Sequence, residues 1–159
     1  MTAQTHSLLP PGTPAIILSR MFSAPRRLVW AAFTDARQLP LWWGPDGFSN
    51  LTRRIDIRTG GEWIFTMRGP DGTEYPNRIR YIEVRKFERI AFLHDEGEKA
   101  GDHAFTTTIT FEQRDTGTLV TMTSVFRDEK TRDRLAEWGA VEAGKQTLEK
   151  LAAHLATKH

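Results

Sequence analysis

The sequence runs to 159 residues, 39% hydrophobic and 26% charged, with a formal net charge of +2 and no cysteine. That composition excludes a disordered chain, a chain of this size can bury roughly two-thirds of its unfolded surface in one core, and no apolar run approaches the roughly 20 residues of a membrane span. The 22 Lys and Arg are interspersed with 20 Asp and Glu, so no basic stripe marks a nucleic-acid binder, and the missing cysteines remove disulfides, thiolate nucleophiles and cysteine zinc sites.

Residues 1–12 lack a basic segment followed by an apolar stretch and so do not read as a secretory signal. They are expected to form a flexible N-terminal arm, and the missing signal points to the cytoplasm. Residues 13–159 are expected to form one domain, because no repeat, low-complexity tract or linker divides them. Ala15 to Phe22 is branched and apolar enough for a first strand, and Pro25 marks a helix start with Leu28, Val29, Ala32 and Phe33 at helical spacing. Asp35 and Gln38 fit the cap of a second short helix, which is expected to stop or bend at Pro40 and to end by Gly44-Pro45. Trp42 and Trp43 stand at that stop and should close one end of an enclosed apolar pocket, chiefly by packing, one ring buried and the other partly exposed.

From Phe48 to Phe126 the residues alternate between turn signals at Gly60-Gly61, Pro70-Asp-Gly72, Asp95-Glu-Gly97 and Asp115-Thr-Gly117. Six strands in series follow, and their short connections make them antiparallel. Asp56 and Arg58 alternate with Ile55 and Ile57 and should pair near the Gly60-Gly61 turn. From about Thr131 the pattern is helical for about 26 residues, roughly 39 Å. Val141, Gly144, Leu148, Leu151, Ala152 and Leu155 form one apolar stripe, with Glu137 a turn earlier and Gly139 on the far, solvent-facing side, where either local tolerance of glycine or a slight bend is expected. The fold class is therefore α+β, a seven-stranded antiparallel sheet with two short helices and a long C-terminal helix laid across one face.

Several segments in one order resemble a known family: Ala24-Pro-Arg-Arg-Leu-Val-Trp30, Leu41-Trp-Trp-Gly-Pro-Asp-Gly-Phe48, Asp56-Ile-Arg-Thr-Gly-Gly-Glu-Trp63, Met67-Arg-Gly-Pro-Asp-Gly72, Glu88-Arg-Ile-Ala-Phe92 and Gln146-Thr-Leu-Glu-Lys-Leu-Ala-Ala-His-Leu155. Over residues 14–157 the chain is similar to the bacterial proteins related to the C-terminal domain of the activator of the Hsp90 ATPase, within the START and Bet v 1-like superfamily. The resemblance implies a helix-grip fold, in which a curved sheet wraps the long helix around a cavity, and the binding of a hydrophobic small molecule. It carries over no catalytic residue.

Gly144 is the most informative position, since glycine within a helix costs about 1 kcal/mol relative to alanine. Either its missing side chain widens the cavity, as the bulkier residue of relatives implies, or a large aromatic such as Trp63 packs on its backbone. Trp63, Phe65 and Met67 on one strand face, beside Ile79 and Tyr81, are the expected pocket wall, with Phe33, Trp42, Val141 and Leu148 around it. Tyr81, Arg78, His94 and Glu137 are the expected polar groups. His94 follows Ile90 and Phe92 at strand spacing and should approach the pocket mouth. His6, His103, His154 and His159 are dispersed, so no metal site is expected, and the absence of phosphate-loop, dinucleotide and nucleophile-elbow motifs leaves no expected cofactor.

The leading functional expectation is a binding module for a hydrophobic or aromatic small molecule, with no nucleic-acid or membrane partner. One alternative is a polyketide cyclase-like enzyme that confines a flexible substrate in the same cavity. The other is a chaperone partner of the Hsp90 kind, ranked last because the eukaryotic protein carries an additional N-terminal domain. A second copy of the chain, in a homodimer, is the remaining partner considered.

Overall fold

Period-two alternation places one apolar residue in two on a single face, and antiparallel pairing joins those faces into one sheet. The computed structural model describes residues 4–95 and 104–158. Residues 1–3 of the arm, the Glu96-Gly97 part of one expected turn, His103 and His159 lie outside the described residues. The strands are β1 His6–Leu8, β2 Ala15–Phe22, β3 Ser49–Ile55, β4 Glu62–Arg68, β5 Glu74–Arg85, β6 Arg89–Asp95, β7 Phe105–Arg114 and β8 Gly117–Val125. They pair antiparallel throughout, in the order β1-β2-β8-β7-β6-β5-β4-β3. The helices are α1 Arg26–Thr34, α2 Leu39–Trp42, α3 Glu129–Glu137 and α4 Ala140–Leu155.

The sheet has eight strands among the described residues, against the seven expected. The additional one, β1, falls inside the segment read as an arm and pairs His6 with Ser19 and Leu8 with Ile17. Its three residues are all exposed, so no apolar alternation announces it, and it covers an edge of β2 that would otherwise stand open. The following segment is pinned by Arg132, whose buried guanidinium donates from Nη1 to the carbonyls of Pro10, Thr13 and Ala15.

The long C-terminal helix is also corrected, because it is two helices. Gly139 has φ +99, in the left-handed region that an α-helix cannot continue through, and it separates α3 from α4. Asp128 caps α3 by accepting from the Thr131 N–H at 2.7 Å, and that bond holds its carboxyl below the usual range. Pro40 begins α2 instead of stopping it, since proline in a first helical turn forfeits no internal bond. The Asp35 and Gln38 side chains bond at 3.2 Å but do not cap α2, since Asp35 ends α1 and Gln38, the residue before α2, makes no side-chain capping bond. Arg58 donates to Asp56 at 2.8 Å beside the glycine turn as expected. There Gly61 cannot be replaced, because a Cβ would collide with the Asp56 carbonyl.

Leu148, Leu151 and Leu155 bury the C-terminal half of α4, and Arg20 on β2 ties the helix to the sheet through Glu149 at 2.9 Å. Beneath it one half of the core is packed with aromatic rings. Phe33 meets Trp42 and Phe111 edge-on at 4.8 and 5.2 Å, and Trp63 stacks on Phe65 at 3.7 Å. The other half pairs small residues of α4, Ala140, Ala143 and Gly144, with the short side chains Thr107 and Ser124 of the sheet, and the two layers do not fill the space between them.

Candidate functional site

The unfilled half is a cavity of about 280 Å³, just below the roughly 300–1,000 Å³ of small-molecule sites. Its floor is the inner face of β2, β8, β7 and β6, through Leu18, Met122, Thr107, Phe105, Phe92 and His94. Leu135 of α3 and the first turns of α4 roof it, so the break at Gly139 lies within the roof. Trp43, Gly44, Pro45 and Met67 close the end toward α2. That rim is held by α4: the Asp46 N–H donates to Gln146 at 3.1 Å, and Lys150 Nζ donates to the Pro45 and Phe48 carbonyls at 3.2 and 3.4 Å. Pro45 and Met67 also border a surface cleft of about 320 Å³ with Phe48, Tyr75, Pro76 and Asn77, which makes those two residues the boundary between cavity and outside.

Among the residues singled out from sequence, Met67, His94 and Gly144 line this cavity. Phe33, Trp63 and Tyr81 do not. They surround a separate void of about 10 Å³, room for about one water, and Trp43 and Phe92 form the partition between the two spaces. Trp42 is buried with its indole donating to the Ala32 carbonyl at 3.0 Å, and its neighbour Trp43, buried as well, is the ring that faces the cavity. Phe65 and Leu148 are core, and Val141 is half-buried outside the lining. Arg78 projects to the opposite sheet face from Ile79 and makes a two-pronged pair with buried Asp95 at 3.0 and 3.1 Å. Glu137 is exposed, because the turn at Gly139 rotates α3 out of phase with the α4 stripe. Gly144 meets neither expected neighbour alone. It borders the cavity, and the residue against it is Leu18, whose Cδ1 a Cβ would strike.

Three polar features remain in the lining. His94 Nε2 lies 2.6 Å from Asn77 Oδ1, while Asn77 Nδ2 donates to the Tyr75 carbonyl at 2.9 Å. The Asn77 amide is thereby fixed with its oxygen toward the imidazole, so Nε2 carries the proton and Nδ1 keeps the lone pair. Burial pushes the imidazole pKa down to about 4, against an opposing pull from the Asp95 carboxylate, so the ring is neutral near pH 7. Thr107 Oγ1 and Ser124 Oγ hydrogen-bond at 2.9 Å across β7 and β8. Thr147 Oγ1 donates to the Ala143 carbonyl at 2.9 Å, which leaves it no proton for a ligand. Asn77, Thr107 and Ser124 were missed from sequence. The available signal was strand parity, since Thr107 shares a face with Phe105 and Ile109.

Among the described residues no helix is long and apolar enough to cross a membrane, and no three His, Asp or Glu converge on a metal position.

The family model of the Activator of Hsp90 ATPase homolog 1-like protein matches residues 23–156. No curated protein matches the sequence. Solved structures match along nearly the whole chain. Protein Ms6760 from Mycobacterium smegmatis is 24% identical with a TM-score of 0.87, covering 98% of this chain and 99% of its own. A protein from Arthrobacter aurescens is 24% identical with a TM-score of 0.88, covering 96% and 91%. The AHSA1 protein from Silicibacter pomeroyi is 21% identical with a TM-score of 0.74, covering 91% and 99%. At these identities the likeness is one of fold.

Proposed function

We propose that this chain, which belongs to the Activator of Hsp90 ATPase homolog 1-like family, is a binding protein for a compact apolar or aromatic small molecule held between the sheet and α4. The observation that carries the reading is the cavity of about 280 Å³, whose walls are almost wholly hydrocarbon and aromatic. A core with no task for that space would gain by filling it, since unfilled volume forfeits contacts. The family commonly binds hydrophobic ligands, which agrees. Displacement of an apolar dye, together with ligand-dependent amide protection along α4 in hydrogen exchange, tests the reading. A folded protein that takes up neither dye nor any apolar probe refutes it.

A second reading, an enzyme of the polyketide cyclase kind, has one observation in its favour: an oriented imidazole and a hydroxyl pair share one cavity. It ranks below binding because Arg78 and Glu137 turn away, Tyr81 lies behind the partition, and an imidazole of pKa about 4 is a weak base near neutral pH. Ring closure of a flexible polyketone, slowed by His94→Phe, would promote it. A role as a chaperone partner is third.

A further inference from the structure

The small-molecule reading leaves open what kind of molecule enters, and the polar groups of the cavity narrow it. Among the described residues the lining contains no Lys, Arg, Asp or Glu. A charged ligand would therefore be stripped of water without a counter-ion. His94 presents only a lone pair beyond its bond to Asn77, because the Asn77 amide is locked by the Tyr75 carbonyl. A ligand group beside it must bring a proton. Thr107 and Ser124 are the reverse case. Two hydroxyls carry two protons, one is consumed in their mutual bond, and the other is left to donate.

The register sets the spacing of these two features. His94 pairs with Phe105 and Phe92 with Thr107, so His94 and Thr107 are diagonal neighbours on one sheet face, their backbones roughly 7–8 Å apart and their side chains rising from the same side. One or two fused rings span that distance, and the cavity volume admits little more. We propose that the cavity selects an uncharged, compact aromatic molecule that donates a hydrogen bond to His94 at one end and accepts one from the Thr107–Ser124 pair at the other. This rests on the small-molecule reading above.

Five probes on one scaffold test it by dye displacement from the full chain: naphthalene, 2-naphthol, 2-acetylnaphthalene, 6-acetyl-2-naphthol and 2-naphthoate. The hydroxy-ketone is expected to bind at least about tenfold tighter than naphthalene, and 2-naphthoate at least about tenfold weaker than 2-naphthol. H94F should abolish the preference for 2-naphthol over naphthalene and keep the preference for the ketone. T107V/S124A should do the reverse. If H94F does not fold, nitrogen-15 spectra of the wild-type imidazole replace it: 2-naphthol should shift the Nδ1 resonance and naphthalene should not. Naphthalene binding as tightly as its derivatives, naphthoate matching naphthol, or a naphthol preference that survives H94F overturns the inference and leaves the binding reading standing. Failure of all five probes, naphthalene included, overturns both.

Discussion

His94 was placed toward the pocket by strand parity alone, yet its chemistry depends on Asn77, seventeen residues earlier on the neighbouring strand. Its folded pKa of about 4 lies below the ordinary 6.5, so the unfolded chain binds a proton that the native one refuses. His94 therefore leaves stability undiminished above about pH 6.5 and removes it as pH falls toward 4, by up to about 3 kcal/mol. Urea melts across that range should show a steeper acid loss for the wild type than for His94→Gln, and equal slopes would contradict the burial of the ring. Gly144 has no room for a side chain unless Leu18 moves. Its Cβ would push Leu18 toward the cavity, so Gly144→Ala should combine overpacking of about 1–3 kcal/mol with a helix gain of about 1 kcal/mol. The expected net is a loss of about 1 kcal/mol in denaturant melts and weaker dye uptake. Unchanged uptake would place Leu18 away from the cavity.

At the scale of elements the sequence was read well where periodicity is long and poorly where an element is short or broken. The strands β2 and β4 to β8 announce themselves by alternating residues and glycine turns, whereas β3 is exposed at five of its seven positions and carries little alternation. β1 is three exposed residues that exist by pairing with Ile17 to Ser19, a contact with no local signature. The break between α3 and α4 was legible only as a glycine on the polar side, because apolar spacing does not register a single left-handed residue. No neighbour crowds Gly139, so its conformation alone requires glycine. Gly139→Ala should therefore cost about 1–2 kcal/mol in thermal or chemical melts. If it stabilises instead, the two helices have merged, and Leu135 and Ala140 should lose their contact with a bound probe in hydrogen exchange.

Across the whole molecule, the cavity arises from a division of labour along the core. Phe33, Trp42, Trp63 and Phe65 fill one half with rings, while Gly144, Ala143, Thr107 and Ser124 leave the other half open. A ligand seated there binds the native state alone, and saturation at about 100 times its Kd should raise stability by about 2.7 kcal/mol, readable as a higher Tm for 2-naphthol than for buffer. No shift at saturating probe would mean that the denatured chain binds it equally or that the native cavity does not. The sequence by itself determined the α+β class, the order of the main elements, the docked face of α4 and the family, since each is written in local periodicity or in motifs of contiguous residues. Only the tertiary structure decided which of the apolar residues are wall and which are filling, because parity assigns a face but not a position along it. It also decided that Arg78 pairs with Asp95 and that His94 borders the cavity. Those roles depend on strand register and helix phase, and both are set by partners distant in the chain.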